Sequence, residues 1–456
     1  MKLMHWIFAV CLFTASCDLI LNFDMGGSVR LCQLLMVLIC LGAAARIIQD
    51  GRILWPRGAT ALSLWILSQF IFLPLCGNWT IGLMFFGLLL FTCIGVLAVV
   101  QLYGQSDMIE RLMKVYLGSY VFVGTYGMLQ FLLPLVGLRL PLTVQWYIRG
   151  HLARINGFSL EPSYFATYMV MGWIALLDLR LSKADIVQGR FWKWSTVILT
   201  AVMLCSTSKL AWGIMIIELV ARGVPPAWHA LKSLFGRGKL VIYLPGVRVF
   251  GVLAIAAIFA FSAIRFLTQH NFDPVNLLGG SGLGGTAAHS VNDRMGDTID
   301  TFEAFKDSPF IGRSLGGTAI YRGLRKGVVI TNMEQLRFNW GFPVILDVLL
   351  ASGIIGFIPF LVFLYATTFG AIRMAKRYWP EERAKWLRAL GRAMIFEWLM
   401  LSADQNLLRV YLWFHFTMVL VVAYHLEFAP APELASSALE GPEISYYPTF
   451  EAPVAL

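Results

Sequence analysis

Residues 79–102 read WTIGLMFFGLLLFTCIGVLAVVQL, with no charged side chain among them. A helix of that length rises about 36 Å, enough to cross the roughly 30 Å of hydrocarbon in a bilayer. Comparable apolar runs lie near 3–23, 29–47, 59–76, 114–136, 163–181, 247–268, 353–372, 388–403 and 408–426. Hydrophobic residues make up 58% of the 456-residue chain and charged ones 14%, whereas a soluble domain carries about 25% charged residues. These features predict an all-α polytopic membrane protein, with residues 1–428 as one membrane domain. Residues 429–456, rich in Pro, Ala and Glu, read as a disordered tail. The first run, Leu3 to Phe23, has no small-residue cleavage site and is expected to stay as a helix rather than leave as a signal peptide.

The net charge of +10 does not call for nucleic acid, because the basic residues collect in particular loops. Arg46, Arg52 and Arg57 follow the second run, and Arg111 and Lys114 precede the fifth. Arg180, Lys183, Arg190 and Lys193 follow the sixth, and Arg373 to Arg392 form the densest group. The positive-inside rule places all of them, and both termini, in the cytoplasm. The run 194–222 then has basic residues at both ends, so it must enter and leave from the same side. At about 29 residues it is too short for two full spans. It reads as two short helices meeting at Ser206-Thr207-Ser208-Lys209, which brings the count to about twelve membrane segments. Two long loops fall on the far side, Gly137 to Ser163 and about 269–342. Seven cysteines show neither CxxC spacing nor clustering with His, so neither a disulfide framework nor a metal site is indicated.

Chemistry is expected in those outer loops. The first carries Arg139, Arg149, His151 and Arg154 against the single acid Glu161. Such cations either snorkel to lipid phosphates or bind an anionic group. Pro162 suits the first position of a helix, which sets Glu161 at its mouth, as an ion-pair partner of Arg154 or as a base. Lys209 at the break in 194–222 either snorkels or faces a cavity, since a lysine facing lipid at depth is costly. In the second loop GGSGLGGT (279–286) lacks the GK[ST] ending of a phosphate-binding loop and reads as a linker. After it, Val291, Met295, Ile299, Phe302 and Phe305 fall on one helical face. Ser290 and Asp293 resemble a capping box, and Pro309 marks the end. This helix is expected to lie on the membrane domain, with Arg294 either solvated or turned towards a cavity. Asp18, Asp347 and Glu397 lie in or beside apolar runs, with Arg392 or Arg409 available to pair with Glu397.

Taken together, these segments resemble the Wzy-type polysaccharide polymerases and O-antigen ligases of bacterial envelopes. Arg154-Ile-Asn-Gly157-Phe158 through Glu161-Pro162-Ser163 is similar to that family's R-x-x-G-F-x-x-E-P-S segment. Ser206 to Lys209 resembles its short S-R turn, with lysine in the arginine position. Arg294 followed by Pro309-Phe310-Ile311-Gly312 is similar to its arginine helix and P-x-x-G turn. Asn332 through Ser352-Gly353-Ile354-Ile355-Gly356 resembles its return into the membrane. The ligases carry a histidine late in the large loop, where Thr331 stands here, and this favours the polymerases.

The resemblance implies a GT-C-like architecture in the bacterial inner membrane. It implies a metal-independent glycosyltransferase without cofactor, acting on oligosaccharide linked to undecaprenyl pyrophosphate. A chain-length regulator and export proteins are the partners such an enzyme would have, alongside membrane lipids. It further implies Glu161 and Arg294 as catalytic, with Arg154, Lys209, Arg149 and Arg313 binding pyrophosphate or substrate. An O-antigen ligase, a secondary transporter and a purely structural or sensory membrane protein remain the alternatives; the transporter would place its charges mid-membrane and often show repeats, and the last would not require the cationic clustering.

Overall fold

The computed structural model describes residues 2–24, 28–148, 150–206, 208, 210–222, 286–330, 335–336, 341–402 and 407–428. Outside these lie Arg149, Lys209, the expected helix 247–268, the linker 279–285, Thr331, Asn332, the turn 404–406 and the tail. Of Arg294 only the backbone is described.

The chain folds as a helical bundle. Its helices are α1 (Lys2–Thr14), α2 (Leu31–Asp50), α3 (Ala59–Ile71), α4 (Trp79–Tyr103) and α5 (Ile109–Leu132). They are followed by α6 (Pro162–Leu181), α7 (Arg190–Cys205) and α8 (210–222). After the undescribed stretch come α9 (Thr286–Lys306), α10 (Leu315–Arg325) and α11 (Val344–Tyr365). The last runs through a π-helical turn, Ala366–Gly370, into α12 (Ala371–Arg377), before α13 (Glu382–Leu401) and α14 (Val410–Phe428). Two short hairpins, Asn22–Asp24 with Ser28–Arg30 and Trp146–Ile148 with Leu152–Ala153, interrupt the all-helical pattern.

Among the described residues, five stretches are long and apolar enough to cross a membrane: Leu31–Asp50, Trp79–Tyr103, Ile109–Val136, Val344–Arg377 and Val410–Phe428. Leu38, Leu41, Leu64, Leu67, Ile355 and Leu361 are exposed on the outside of the bundle, as suits a surface solvated by lipid rather than water. Helix α6 is buried on nearly every side and packs along α13. Because these two helices contact protein instead of lipid, they can carry polar groups that a peripheral span cannot.

One end of the bundle is basic. There His5 of α1 meets Tyr103 of α4, with ring centroids 6.2 Å apart, and Arg57 before α3 pairs with Glu427 of α14. The start of α1 and the end of α14 therefore lie at the same end of the bundle. Helix α1 is shorter than the expected run 3–23. It ends at Thr14 because the Asp18 and Leu19 amides both donate to Phe158 O, at 3.0 and 3.1 Å, and the Asp18 side chain is held elsewhere.

The run 194–222 folds back on itself. Helix α7 starts just after α6, and Arg222 at the end of α8 returns to Asp178 in the last turns of α6, 3.3 Å away. Asp178 also accepts from Arg388 at 3.0 Å and lies 3.3 Å from Arg392. Glu218 of α8 takes Arg392 at 3.0 Å and also pairs with Arg222. Asp178 and Glu218 are both fully buried, so this network locks the hairpin to α6 and α13. It claims Arg392, which rules out the expected pairing of Arg392 with Glu397.

At the opposite end, here termed the loop end, α11 is broken at Gly353, whose φ and ψ are 56° and 179°. A strap, residues 309–314, is hydrogen-bonded into the break. Arg313 N donates to Leu350 O at 3.2 Å and Ser314 N to Ala351 O at 2.9 Å, while Ile354 N donates to Pro309 O at 2.8 Å. Ser352 Oγ at the break accepts from Trp65 Nε1 and Gln69 Nε2 of α3, at 2.9 and 2.8 Å. Gln69 Oε1 in turn accepts from Leu315 N at 3.0 Å, fixing the start of α10. The Pro309–Gly312 and Ser352–Gly356 motifs are thus two halves of one joint.

Candidate functional site

The loop end gathers most of the described residues singled out from the sequence. In the first outer loop Asn156 is fully buried and ties the chain together. Its Nδ2 donates to Leu142 O and Ser159 O at 2.9 and 2.8 Å. Gln130 of α5 brackets Gly157, accepting from its N at 2.8 Å and donating to its O at 3.1 Å. Gly157 has a φ of +56°, and a Cβ there would lie 2.7 Å from the Phe165 ring. The asparagine and glycine of this motif thus build the loop, and the charged residues ride on it. Arg154 is half-buried, with its Nη1 donating to Gln145 Oε1 at 2.8 Å. Glu161 precedes Pro162 at the start of α6, where the helix dipole presents its positive end. Its carboxylate is exposed, accepts from Ser163 Oγ at 3.2 Å, and forms no ion pair among the described residues.

The same helix start meets a buried charge cluster. Asp18 binds Arg30 at 2.7 Å and Arg409 at 2.7 Å. The Arg409 guanidinium also lies 3.9 Å from the centre of the Tyr164 ring. Two guanidiniums therefore share one carboxylate, leaving one positive charge in excess. Arg409 is spoken for here, so it is not the partner of Glu397. Beside it, Leu408 packs both on the main core and on the small cluster of Cys76, Ile81, Ala319 and Ile320. The 407–409 turn therefore joins the Arg154–Tyr164 region to the α10 region.

On the α10 side, the strap carries Arg313. Its guanidinium stacks on Tyr321, 4.1 Å from the ring centre, and has no hydrogen-bond partner among the described residues. Tyr321 OH donates to Asp307 Oδ2 at 2.8 Å, and Arg325 pairs with the same oxygen. Those two donors hold the Asp307 carboxyl below its ordinary range. A depressed carboxylate contributes stability above the unfolded value, near 4, and loses it as pH falls through the folded one. Acidification below about pH 4 is therefore expected to release Tyr321 and Arg325. Faster amide exchange over 321–325 would report this, and Asp307→Asn should abolish the pH dependence.

Arg322 beside it is 1% exposed and bound to Asp297 of α9 at 2.6 Å. This pair orients α9 against expectation. Thr301 and Ala304 face inward, while Met295, Ile299 and Phe302 of the apolar stripe are exposed. A buried arginine must meet its carboxylate, and that need outweighs the burial of three apolar side chains. Helix α9 also begins at Thr286, ahead of the Ser290–Asp293 pattern.

No protein-family model matches this sequence, and a search among curated proteins returns no match.

Arg154, Glu161 and Arg313 thus share one end of the bundle. Among the described residues, no three His, Cys, Asp or Glu side chains converge as a metal site. The arrangement offers fixed guanidiniums and a helix N-terminus, suited to holding an oxyanion, beside a carboxylate with no ion pair among the described residues. Sequence reading missed the Asp18–Arg30–Arg409 cluster. Its only trace was three charges flanking apolar runs that emerge on the same side.

Proposed function

We propose that the protein is a polysaccharide polymerase. It joins oligosaccharide repeat units carried on undecaprenyl pyrophosphate, at the outer face of the bacterial inner membrane. In this reading about twelve membrane segments form a GT-C-like architecture, the basic end and both termini are cytoplasmic, and the loop end faces the periplasm. The observation that carries the proposal is that the 407–409 turn meets Tyr164 through Arg409 and, through Leu408, the α10 region into which the Arg313 strap leads. Two motifs about 150 residues apart in sequence, each named from the family resemblance, flank one cationic region.

An acceptor sugar hydroxyl attacks the anomeric carbon of the donor, and the lipid pyrophosphate departs with the bonding electrons. The growing charge on the leaving group needs pre-positioned cations. Arg154 and Arg313, with Arg294 of α9 and Lys209 from outside the described residues, would supply them. Glu161, which forms no ion pair among the described residues, would take the proton from the acceptor hydroxyl.

The test is electrophoresis of envelope and secreted glycans from a deletion strain complemented with wild type, Arg313→Ala or Arg294→Ala. We expect wild type to restore long polymer and each variant to cut it at least tenfold, in line with losing about 2 kcal/mol of transition-state stabilisation. Single repeat units should remain attached to lipid A-core. Loss of every glycan on lipid A-core, with lipid-linked polymer accumulating, would identify a ligase instead, and unchanged glycans would rule out both.

A further inference from the structure

At the basic end, remote from the site above, a cleft of about 300 Å³ is lined by Arg57, Arg373, Arg377, Tyr365, Tyr378 and Gly370. Its wall is the π-helical turn Ala366–Gly370, a local widening often found where a helix serves a ligand. Helix α3 begins against that turn: a Cβ on Gly58 would come 3.1 Å from Ala366 Cβ. Three guanidiniums thus converge on one cleft. Arg57 pairs with Glu427. Arg373 and Arg377 have only ring contacts, 5.4 Å over Tyr365 and 5.9 Å over Tyr378, and neither has an ion pair among the described residues. Three cations against one carboxylate leave two positive charges in excess. Exposed Trp55 and Trp379 lie at the same end, as aromatic residues do where a bundle emerges from lipid.

The geometry points to a binding site for a phosphate ester, and we assign its source as the headgroup of an anionic phospholipid such as phosphatidylglycerol. Arginine forks match phosphate oxygens, and basic pockets between helices at a membrane surface take acidic headgroups. The cleft opens where α3 begins and α12 and α14 end, at the level a headgroup would occupy. Nothing in this assignment depends on the polymerase reading.

Native mass spectrometry of the full chain from detergent, titrated with phosphatidylglycerol or phosphatidylcholine, tests it. We expect a tight phosphatidylglycerol adduct that phosphatidylcholine does not reproduce. Arg373→Gln with Arg377→Gln should weaken it about 25-fold, from roughly fivefold per surface cation. Lys193→Gln with Lys376→Gln removes the same charge from exposed positions outside the cleft and should change it less than about threefold. Equal binding of the two lipids by the wild-type protein would overturn the site, and that comparison requires no variant to fold. Equal losses in the two double variants would also overturn it, reducing the effect to general surface charge. Binding of inorganic pyrophosphate without binding of phosphatidylglycerol would overturn the lipid as source.

Discussion

Replacing Gly312 with alanine is expected to lower the stability of the purified protein by about 3–5 kcal/mol, because backbone rather than a side chain stands in the way. A Cβ at residue 312 would lie 1.9 Å from Ala351 O and 2.5 Å from Ser352 C. Neither atom can rotate aside, so the strap or the break in α11 must move. Moving either one breaks the bonds from Arg313 N and Ser314 N to Leu350 O and Ala351 O. Gly353→Ala should come close in effect: its backbone lies in a region kept for glycine, costing about 1–3 kcal/mol, and its Cβ would meet Phe310 O at 2.4 Å. Gly327→Ala is the control, since its φ is +73° but the space around it is open, so only about 1–2 kcal/mol of strain applies. Thermal unfolding in mild detergent would compare the three. Should Gly312→Ala melt with Gly327→Ala, the interlocked joint is not what holds the strap.

The second large effect is expected at the other end. Asp178→Asn removes the carboxylate that faces Arg222, Arg388 and Arg392. Glu218 then remains as the only carboxylate of the network facing three guanidiniums, in a place with little water. Breaking a buried pair from one side typically costs about 3–5 kcal/mol, most of it from stranded charge. Because this network fastens the hairpin, the loss should appear first as faster hydrogen exchange across residues 190–222. A second substitution, Arg388→Gln, should then add less than it does alone, since it removes part of the excess charge. Strict additivity of the two would mean the charges do not act as a unit.

Much of the fold was legible because lipid imposes one rule on every span. The runs at 79–102, 163–181 and 408–426 became α4, α6 and α14 within about two residues. The hairpin at 194–222 followed from charge parity alone. Failures came where a tertiary ion pair overruled a local pattern. Asp18 stopped α1 early, Arg322 turned the stripe of α9 outward, and Arg392 and Arg409 went to Asp178 and Asp18 instead of Glu397. No periodicity in a sequence tells which of several arginines a buried carboxylate will take. At the loop end, Arg154, Glu161 and Arg313 could be singled out because they stand in or beside short motifs. Their neighbour Arg409 stands in none.

Helices α6 and α13 sit at the centre of the bundle, and α13 is among its least apolar. Helix α13 contains Lys385, Arg388, Arg392 and Glu397 within residues 382–401. Each charge near the middle of a span costs about 2.5–3.5 kcal/mol on leaving the translocon for lipid, more than its leucines and methionines return. Helix α13 is therefore not a stable resident of the bilayer by itself, so it must be handed from the translocon to neighbours already in place. For α13 those neighbours, α6 and α8, are made some 160 residues or more earlier. Biogenesis is therefore ordered. The amino-terminal helices form a receptacle in the membrane, and the carboxy-terminal third completes the protein only by entering it.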